Sequence, residues 1–145
     1  MRPPPLFCFF LFSWAIAGAQ VPLVEPGGVV DAASFTSPVV PGSLISIFGE
    51  HLAAVAESAT TVPLPFNLEG VSVSFNGVAA PLLFISAQQI NAQLPWEVST
   101  AGPVSVVVTN GATSSTAQAV QVGSFSPSLF SIDEFPGFNG GVFVG

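Results

Sequence analysis

Short apolar segments alternate with polar residues in this chain, and breaks in the pattern recur about every ten residues. In residues 71–75, Val71, Val73 and Phe75 alternate with serines, so the apolar side chains share one face of a strand. Residues 89–94 alternate again, residues 44–48 are a further candidate strand, and residues 104–109 are a β-branched run. Each of these segments is followed by a glycine, proline or asparagine. This pattern predicts an all-β sandwich or barrel.

Two Asn-Gly pairs mark tight turns between strands. Asn76 with Gly77, and Asn110 with Gly111, can adopt the positive φ angles that a two-residue hairpin turn requires. Pro81 interrupts the strand that returns from the first turn, so residues 82–85 are predicted to begin a new strand near a sheet edge. The strand that returns from the second turn is predicted over residues 114–122. Residues 50–58 are the one segment with a helical pattern, and it predicts one or two turns.

The N-terminus has the order of an export signal. Arg2 precedes an apolar run over residues 6–17, and small residues follow at Ala17 and Ala19. This order predicts a signal peptide over residues 1–19, cleaved before Gln20. The apolar run is shorter than the roughly 20 residues that a membrane-spanning helix needs. We therefore expect a secreted or cell-envelope protein with no stable membrane span after cleavage.

Charge excludes several functions. The chain has eight Asp and Glu residues, whereas its single Lys or Arg is Arg2, inside the predicted signal. Nucleic-acid binding needs Lys and Arg to neutralise phosphates, so it is not expected. No lysine is present to form a Schiff base, and no cofactor is predicted. The only cysteine, Cys8, also lies in the signal, so the domain must be stable without disulfides.

The remaining chain divides by composition. Residues 20–28 form a leader with proline and glycine, residues 29–123 contain the strand pattern, and residues 124–145 are rich in Phe and Gly. Dense aromatic residues need a surface to pack against. The last segment either folds back over the sandwich or begins a truncated second unit.

No catalytic or metal-binding set is predicted. His51 is the only histidine, Asp31 and Asp133 are the only aspartates, and no Gly-x-Ser-x-Gly elbow is present. The glutamates are scattered along the chain, as solvated surface residues usually are. Calcium would suit such loop carboxylates best among metals, but the sequence contains no Asp-rich calcium loop.

Four residues are predicted as ligand or interface contacts. Trp96, the only tryptophan after the signal, either stacks on a sugar or protein surface or fastens a strand end to the core. Gln89, Asn91 and Gln93 alternate with apolar residues and therefore share one strand face. That face is either simply solvated or a polar strip that contacts a glycan or a peptide.

Several segments resemble known families. Residues 41–49 (PGSLISIFG), followed by Leu52 and Ala53, resemble the opening of IPT/TIG immunoglobulin-like domains, where a Pro-Gly turn leads into a strand that ends at glycine. Other segments are similar to the Solibacter-type uncharacterised C-terminal domain of bacterial secreted proteins. They are residues 30–35 (VDAASF), 63–65 (PLP), 70–73 (GVSV), 76–82 (NGVAAPL) and, most specifically, 89–97 (QINAQLPWE). The resemblance covers residues 29–132.

The resemblance implies an immunoglobulin-like β-sandwich that often lies at the end of large exported or surface proteins, and it implies no catalytic residue. We therefore expect a non-catalytic structural or interaction module of the bacterial cell envelope or exterior. The alternatives are a carbohydrate-binding module and a truncated fragment of a larger surface protein. The expected partner is an extracellular protein or a glycan, and the sequence indicates no oligomeric state.

Overall fold

A computed structural model describes Met1, residues 20–128 and Phe130. The predicted signal cleavage and most of the Phe- and Gly-rich segment lie outside the described residues. The described chain forms ten strands and no helix. The strands are β1 Leu23–Asp31, β2 Leu44–Glu50, β3 Glu57–Ser58, β4 Val71–Phe75, β5 Val78–Ala79, β6 Leu82–Ile85, β7 Gln89–Gln93, β8 Val104–Asn110, β9 Thr113–Ser114 and β10 Gln118–Val120.

Two sheets face each other. The first has the strand order β1-β2-β7-β6-β3, and the second has the order β10-β8-β4-β5 with β9 paired to β8. All strand pairs within the sheets are antiparallel. The chain crosses between the sheets after β3, after β5 and after β7. The predicted all-β, immunoglobulin-like sandwich is confirmed.

The core lies between the sheets and follows the alternation in the sequence. On β4, Val71, Val73 and Phe75 are buried, while the two serines between them are only partly buried. Full burial of side chains of this size contributes about 1.5–3 kcal/mol each. The first sheet supplies the opposing layer from β2, β6 and β7: Ile45, Ile47, Leu82, Ile85, Ile90 and Ala92, all fully buried.

Strand β1 begins at Leu23, so the first sheet includes part of the segment expected to be a leader. Val24 pairs with Gly49 and is buried, which draws this segment into the sheet. The pairing with β2 shifts in register between Val24 and Val29, where the chain reads Glu-Pro-Gly-Gly. Pro26 cannot donate a ladder hydrogen bond, and such a residue belongs at a bulge in an edge strand.

The prediction of one or two helical turns within residues 50–58 is wrong. His51 has a φ of 55°, which is left-handed and ends β2 instead of starting a helix. Leu52 is fully buried and its backbone N–H donates to the carbonyl of Ala87, 2.9 Å away. Glu57–Ser58 then pairs with β6 as the edge strand β3. Burial and pairing with a distant segment override the local pattern here.

The first predicted hairpin turn is present: Asn76 and Gly77 have φ angles of 48° and 83° and join β4 to β5. The second turn lies one residue later than predicted. Asn110 remains in β8 and pairs with Thr113, so Gly111, with a φ of 59°, and the following residue form the turn to β9.

Strand β6 covers the residues predicted for it and lies one position in from the edge strand β3. The strand predicted over residues 114–122 is divided into β9 and β10. At the break, the Ser115 hydroxyl accepts a hydrogen bond from the backbone N–H of Val108 at 3.0 Å.

Candidate functional site

The polar residues of β7 share the face opposite the buried Ile90 and Ala92, as predicted, and their amides form hydrogen bonds with one another and with neighbouring segments. Gln89 Nε2 donates to Asn91 Oδ1 at 2.8 Å. The hydroxyl of Ser46, on the neighbouring strand β2, donates to the same oxygen at 3.1 Å. Asn91 Oδ1 therefore accepts two hydrogen bonds from within the sheet. This half of the strip is a structural network that joins two strands.

Gln93 has a different partner at the other end of β7. Its Nε2 donates to the carbonyl of Gly42 at 3.0 Å, which ties the strand to the turn before β2. The backbone reinforces this link, because the Gly42 N–H donates to Leu94 O at 2.7 Å and the Leu94 N–H donates to Ser43 O at 2.9 Å. Of the three strip residues, Gln93 alone lies beside Trp96.

Trp96 lies at the corner of a turn between two buried residues. Leu94 and Val98 both belong to the core, and the Val98 N–H donates to Pro95 O at 3.3 Å. These anchors leave Trp96 and Glu97 at the outside of the turn, and Trp96 is 74% exposed. Of the two interpretations drawn from the sequence, the geometry places the indole at the surface and not inside the core.

The indole of Trp96 rests on Gly42. A Cβ built at Gly42 would overlap the six-membered ring, so the position has room only for glycine while the ring stays where it is. Gly42 also has a φ of 84°, a conformation that side chains disfavour. One face of Trp96 is thus held against backbone, and the ring is preorganised although it is largely exposed.

Trp96 also borders a shallow groove. It has a volume of about 160 Å³, and its walls include Phe66, Pro81, Gln93, Pro95, Trp96 and Glu97. Phe66 is 56% exposed, so two large aromatic side chains border the same surface depression. We call this depression the Trp96 groove.

Hydrogen bonds fix the groove walls in place. The Leu82 N–H donates to Pro65 O at 2.8 Å, next to Phe66, and the Gln93 N–H donates to Pro81 O at 2.9 Å. Phe66 is a part of the site that the sequence did not indicate. It follows the Pro-Leu-Pro segment, but no local pattern shows that this loop reaches the turn that contains Trp96.

The residues considered for catalysis are not assembled. His51 follows β2 at the end that pairs with the start of β1, whereas Asp31 ends β1 and pairs with Ile45. The two side chains therefore lie at opposite ends of the first two strands. Asp133 lies outside the described residues. Among the residues that the structure describes, no group of three His, Cys, Asp or Glu side chains could hold a metal ion.

His51 borders a larger cleft at the end of the sandwich. The cleft has a volume of about 590 Å³ and is lined by alanines together with Gln20, His51, Asn110 and Thr113. The Asn110 side-chain amide reaches the His51 carbonyl at a long 3.5 Å, and no second ionisable side chain lines the cleft. A catalytic set would need a base or acid positioned beside the imidazole, and among the described residues no Asp or Glu side chain lines this cleft.

Asp31 has a structural role in the loop after β1. It is 4% exposed, and its Oδ1 accepts hydrogen bonds from Ala33 N at 3.0 Å, Ser34 N at 2.9 Å and Ser34 Oγ at 3.1 Å. Burial by itself raises the pKa of the Asp31 carboxyl. The interactions with the Ser128 hydroxyl and with residues 33 and 34 outweigh it, so the pKa lies below its ordinary value of 3.8.

Comparison with known proteins agrees with the architecture. A family model described as the IPT/TIG domain matches residues 29–128. No curated protein matches the chain. Within the part of the chain that the structure describes, there is also no helix with the length and hydrophobicity to cross a membrane.

Proposed function

Because the chain belongs to the IPT/TIG domain family, we propose that it is a secreted, non-catalytic interaction module of the bacterial cell envelope or exterior. The observation that carries this proposal is the Trp96 groove, in which an exposed indole is held against Gly42 beside a second exposed aromatic ring. Exposed, preorganised aromatic side chains are typical anchors of binding surfaces. The apolar run after Arg2 supports export.

We also propose that the chain is a member of a particular group of bacterial secreted-protein domains. The segment QINAQLPWE at residues 89–97 supports membership of the Solibacter-type C-terminal domains of bacterial secreted proteins. In the structure this segment contains β7, the buried Leu94 and the turn that exposes Trp96. Its sequence therefore matters both for the sheet and for the groove.

Export is tested by expressing the full chain in a bacterium and determining the N-terminus of the product outside the cytoplasm. The proposal expects a product that begins at Gln20. A control with Ala17 and Ala19 both replaced by Glu should stay uncleaved, since the signal peptidase reads small residues there. A wild-type product that remains uncleaved in the cytoplasm would contradict export.

The absence of catalysis is tested with a panel of esterase, peptidase and glycosidase substrates. The proposal expects no turnover above background, because among the described residues no Asp or Glu lines the cleft beside His51. Robust turnover by the wild type that His51→Ala abolishes would contradict it.

Carbohydrate binding is the second candidate, and the exposed indole next to the amide of Gln93 favours it. A tryptophan face with a polar neighbour can stack on a sugar ring and bond to its hydroxyls. A glycan array with the wild type, Trp96→Ala and the exposed-aromatic control Phe125→Ala tests it. Binding that only Trp96→Ala removes would support this candidate, and an array without binding would exclude it.

A further inference from the structure

We propose that the Trp96 groove binds an extended, proline-containing segment of a partner protein that carries an arginine or lysine. The cation would stack on Trp96 and pair with Glu97. This inference rests on the proposed function as an interaction module and names the surface and the chemistry of the partner.

The groove's size indicates a side chain of a partner as its occupant. Its volume of about 160 Å³ is below the roughly 300–1,000 Å³ of sites that enclose a small molecule. The groove is a shallow surface depression with walls from three separate segments, near residues 66, 81 and 95–97. Such a surface can accept one or two side chains of a chain that passes across it.

The walls have the chemistry that extended proline-rich chains recognise. Phe66, Pro81, Pro95 and Trp96 place four rings around one depression. Grooves lined with aromatic residues bind polyproline II segments, because these segments are already extended and lose little entropy on binding. The hydrogen bonds at Pro65 and Pro81 hold the walls in place before any partner arrives.

Charge selects a cationic partner. Glu97 is exposed at the groove, and the chain contains no Lys or Arg after Arg2 that could neutralise it. All eight acidic residues lie after the predicted signal, so the surface attracts cations at long range as well. An arginine or lysine stacked on the exposed indole of Trp96 would gain a cation–π contact in addition to the carboxylate.

The experiment uses three fluorescein-labelled peptides of equal length and the full-length protein. One peptide consists of proline and arginine, one of proline and glutamate, and one of glycine, serine and arginine. Fluorescence anisotropy gives each affinity at about 50 mM and about 150 mM salt, which separates contact from long-range attraction. We expect the proline–arginine peptide to bind at least about tenfold tighter than either of the others.

Matched variants assign the binding to the groove. Trp96→Ala should weaken the proline–arginine peptide about tenfold or more, and Glu97→Gln several-fold, while Trp96→Phe retains part of the affinity. Phe125→Ala and Glu57→Gln replace an exposed aromatic residue and an exposed carboxylate elsewhere and should leave the affinity unchanged. A circular dichroism spectrum of each variant, compared with that of the wild type, is the control for correct folding.

Several results would overturn the inference. They are no binding of the proline–arginine peptide, equal losses for Glu57→Gln and Glu97→Gln, or an affinity that Trp96→Ala does not change. Displacement of the peptide by a neutral oligosaccharide would assign the groove to glycans instead. Failure of peptide binding without hydrolase turnover removes only this inference, whereas turnover that depends on His51 removes the proposed function itself.

Discussion

At the scale of single residues, a glycine sets the position of the largest side chain at the site. Trp96 is exposed yet packed, because Gly42 has no side chain and leaves the indole a flat backbone surface. An exposed aromatic ring without such support would sample several rotamers. The contact explains how a surface residue in a turn can present a fixed face.

Gly42→Ala should free the indole and destabilise the protein. The added Cβ overlaps the ring, and a φ of 84° costs an alanine about 1–2 kcal/mol. In a Trp14→Phe background, where Trp96 is the only tryptophan, its steady-state fluorescence anisotropy should fall. Gly102→Ala is the control, because a Cβ there meets nothing within 4 Å. An unchanged anisotropy in Gly42→Ala would show that the glycine does not hold the ring.

Asp31→Asn should destabilise the protein at neutral pH by about 1–3 kcal/mol, because a neutral amide oxygen replaces the charged carboxylate that accepts the hydrogen bonds of residues 33 and 34. The folded-state pKa of Asp31 lies below 3.8, so its stabilisation is present above that value and lost as pH falls through the folded-state pKa. Urea unfolding at a series of pH values should therefore show the difference from wild type shrinking in strong acid. Glu57→Gln, at an exposed acid, is the control. A difference independent of pH would contradict the role of the charge.

At the scale of elements, the β4–β5 hairpin is fastened by its turn to a neighbouring strand. Asn76 Oδ1 accepts from Ser105 N at 2.9 Å, and Asn76 Nδ2 donates to Pro103 O at 3.1 Å. The asparagine thus combines a left-handed turn conformation with two bonds to the entry of β8. Asn76 therefore forms the turn and also fixes the position of the β4–β5 hairpin against β8.

Asn76→Ala should cost about 1–3 kcal/mol, since it removes these bonds and places alanine at a φ of 48°. The free energy of unfolding from urea titration measures the loss. Asn67→Ala, which removes a single 3.2 Å bond from Gly70 N, should cost less. Equal losses for the two variants would show that the bridge to β8 contributes nothing.

Segments with a clear strand pattern were predictable, and those that depend on distant partners were not. The alternating residues 71–75 and 89–94 became β4 and β7, and the apolar run at 44–48 and the β-branched run at 104–109 became β2 and β8. Strand β1 starts before the predicted boundary at residue 29 because Val24 pairs with Gly49. Residues 50–58 do not form the predicted helical turn because Leu52 is buried and bonded to Ala87. For the same reason the sequence identified Trp96 as a contact but did not pair it with Phe66.

At the scale of the whole molecule, stability rests on one apolar layer between two sheets. The described residues leave no buried side-chain polar atom without a hydrogen-bond partner, and the only cysteine of the chain is Cys8. The free energy of unfolding of a single domain is about 5–15 kcal/mol, so the burial of each large core side chain supplies a substantial fraction of it.

Phe75→Ala should therefore destabilise the protein by about 3–5 kcal/mol, because it removes the largest fully buried side chain and leaves a cavity. The urea midpoint should fall while the slope of the transition stays constant. Phe125→Ala, at an exposed phenylalanine, should change stability by no more than about 0.5 kcal/mol. A loss at Phe75 as small as at Phe125 would contradict a single cooperative core.

The outer strands of both sheets are short or kinked. Strands β3 and β5 have two residues each, β10 has three, and Pro26 interrupts β1. Within the described residues, no long row of free backbone amides and carbonyls is therefore open to a neighbouring molecule. Short or kinked outer strands disfavour edge-to-edge pairing between molecules. At high concentration the protein can therefore remain monomeric instead of forming fibrils, even though half of the chain's residues are hydrophobic.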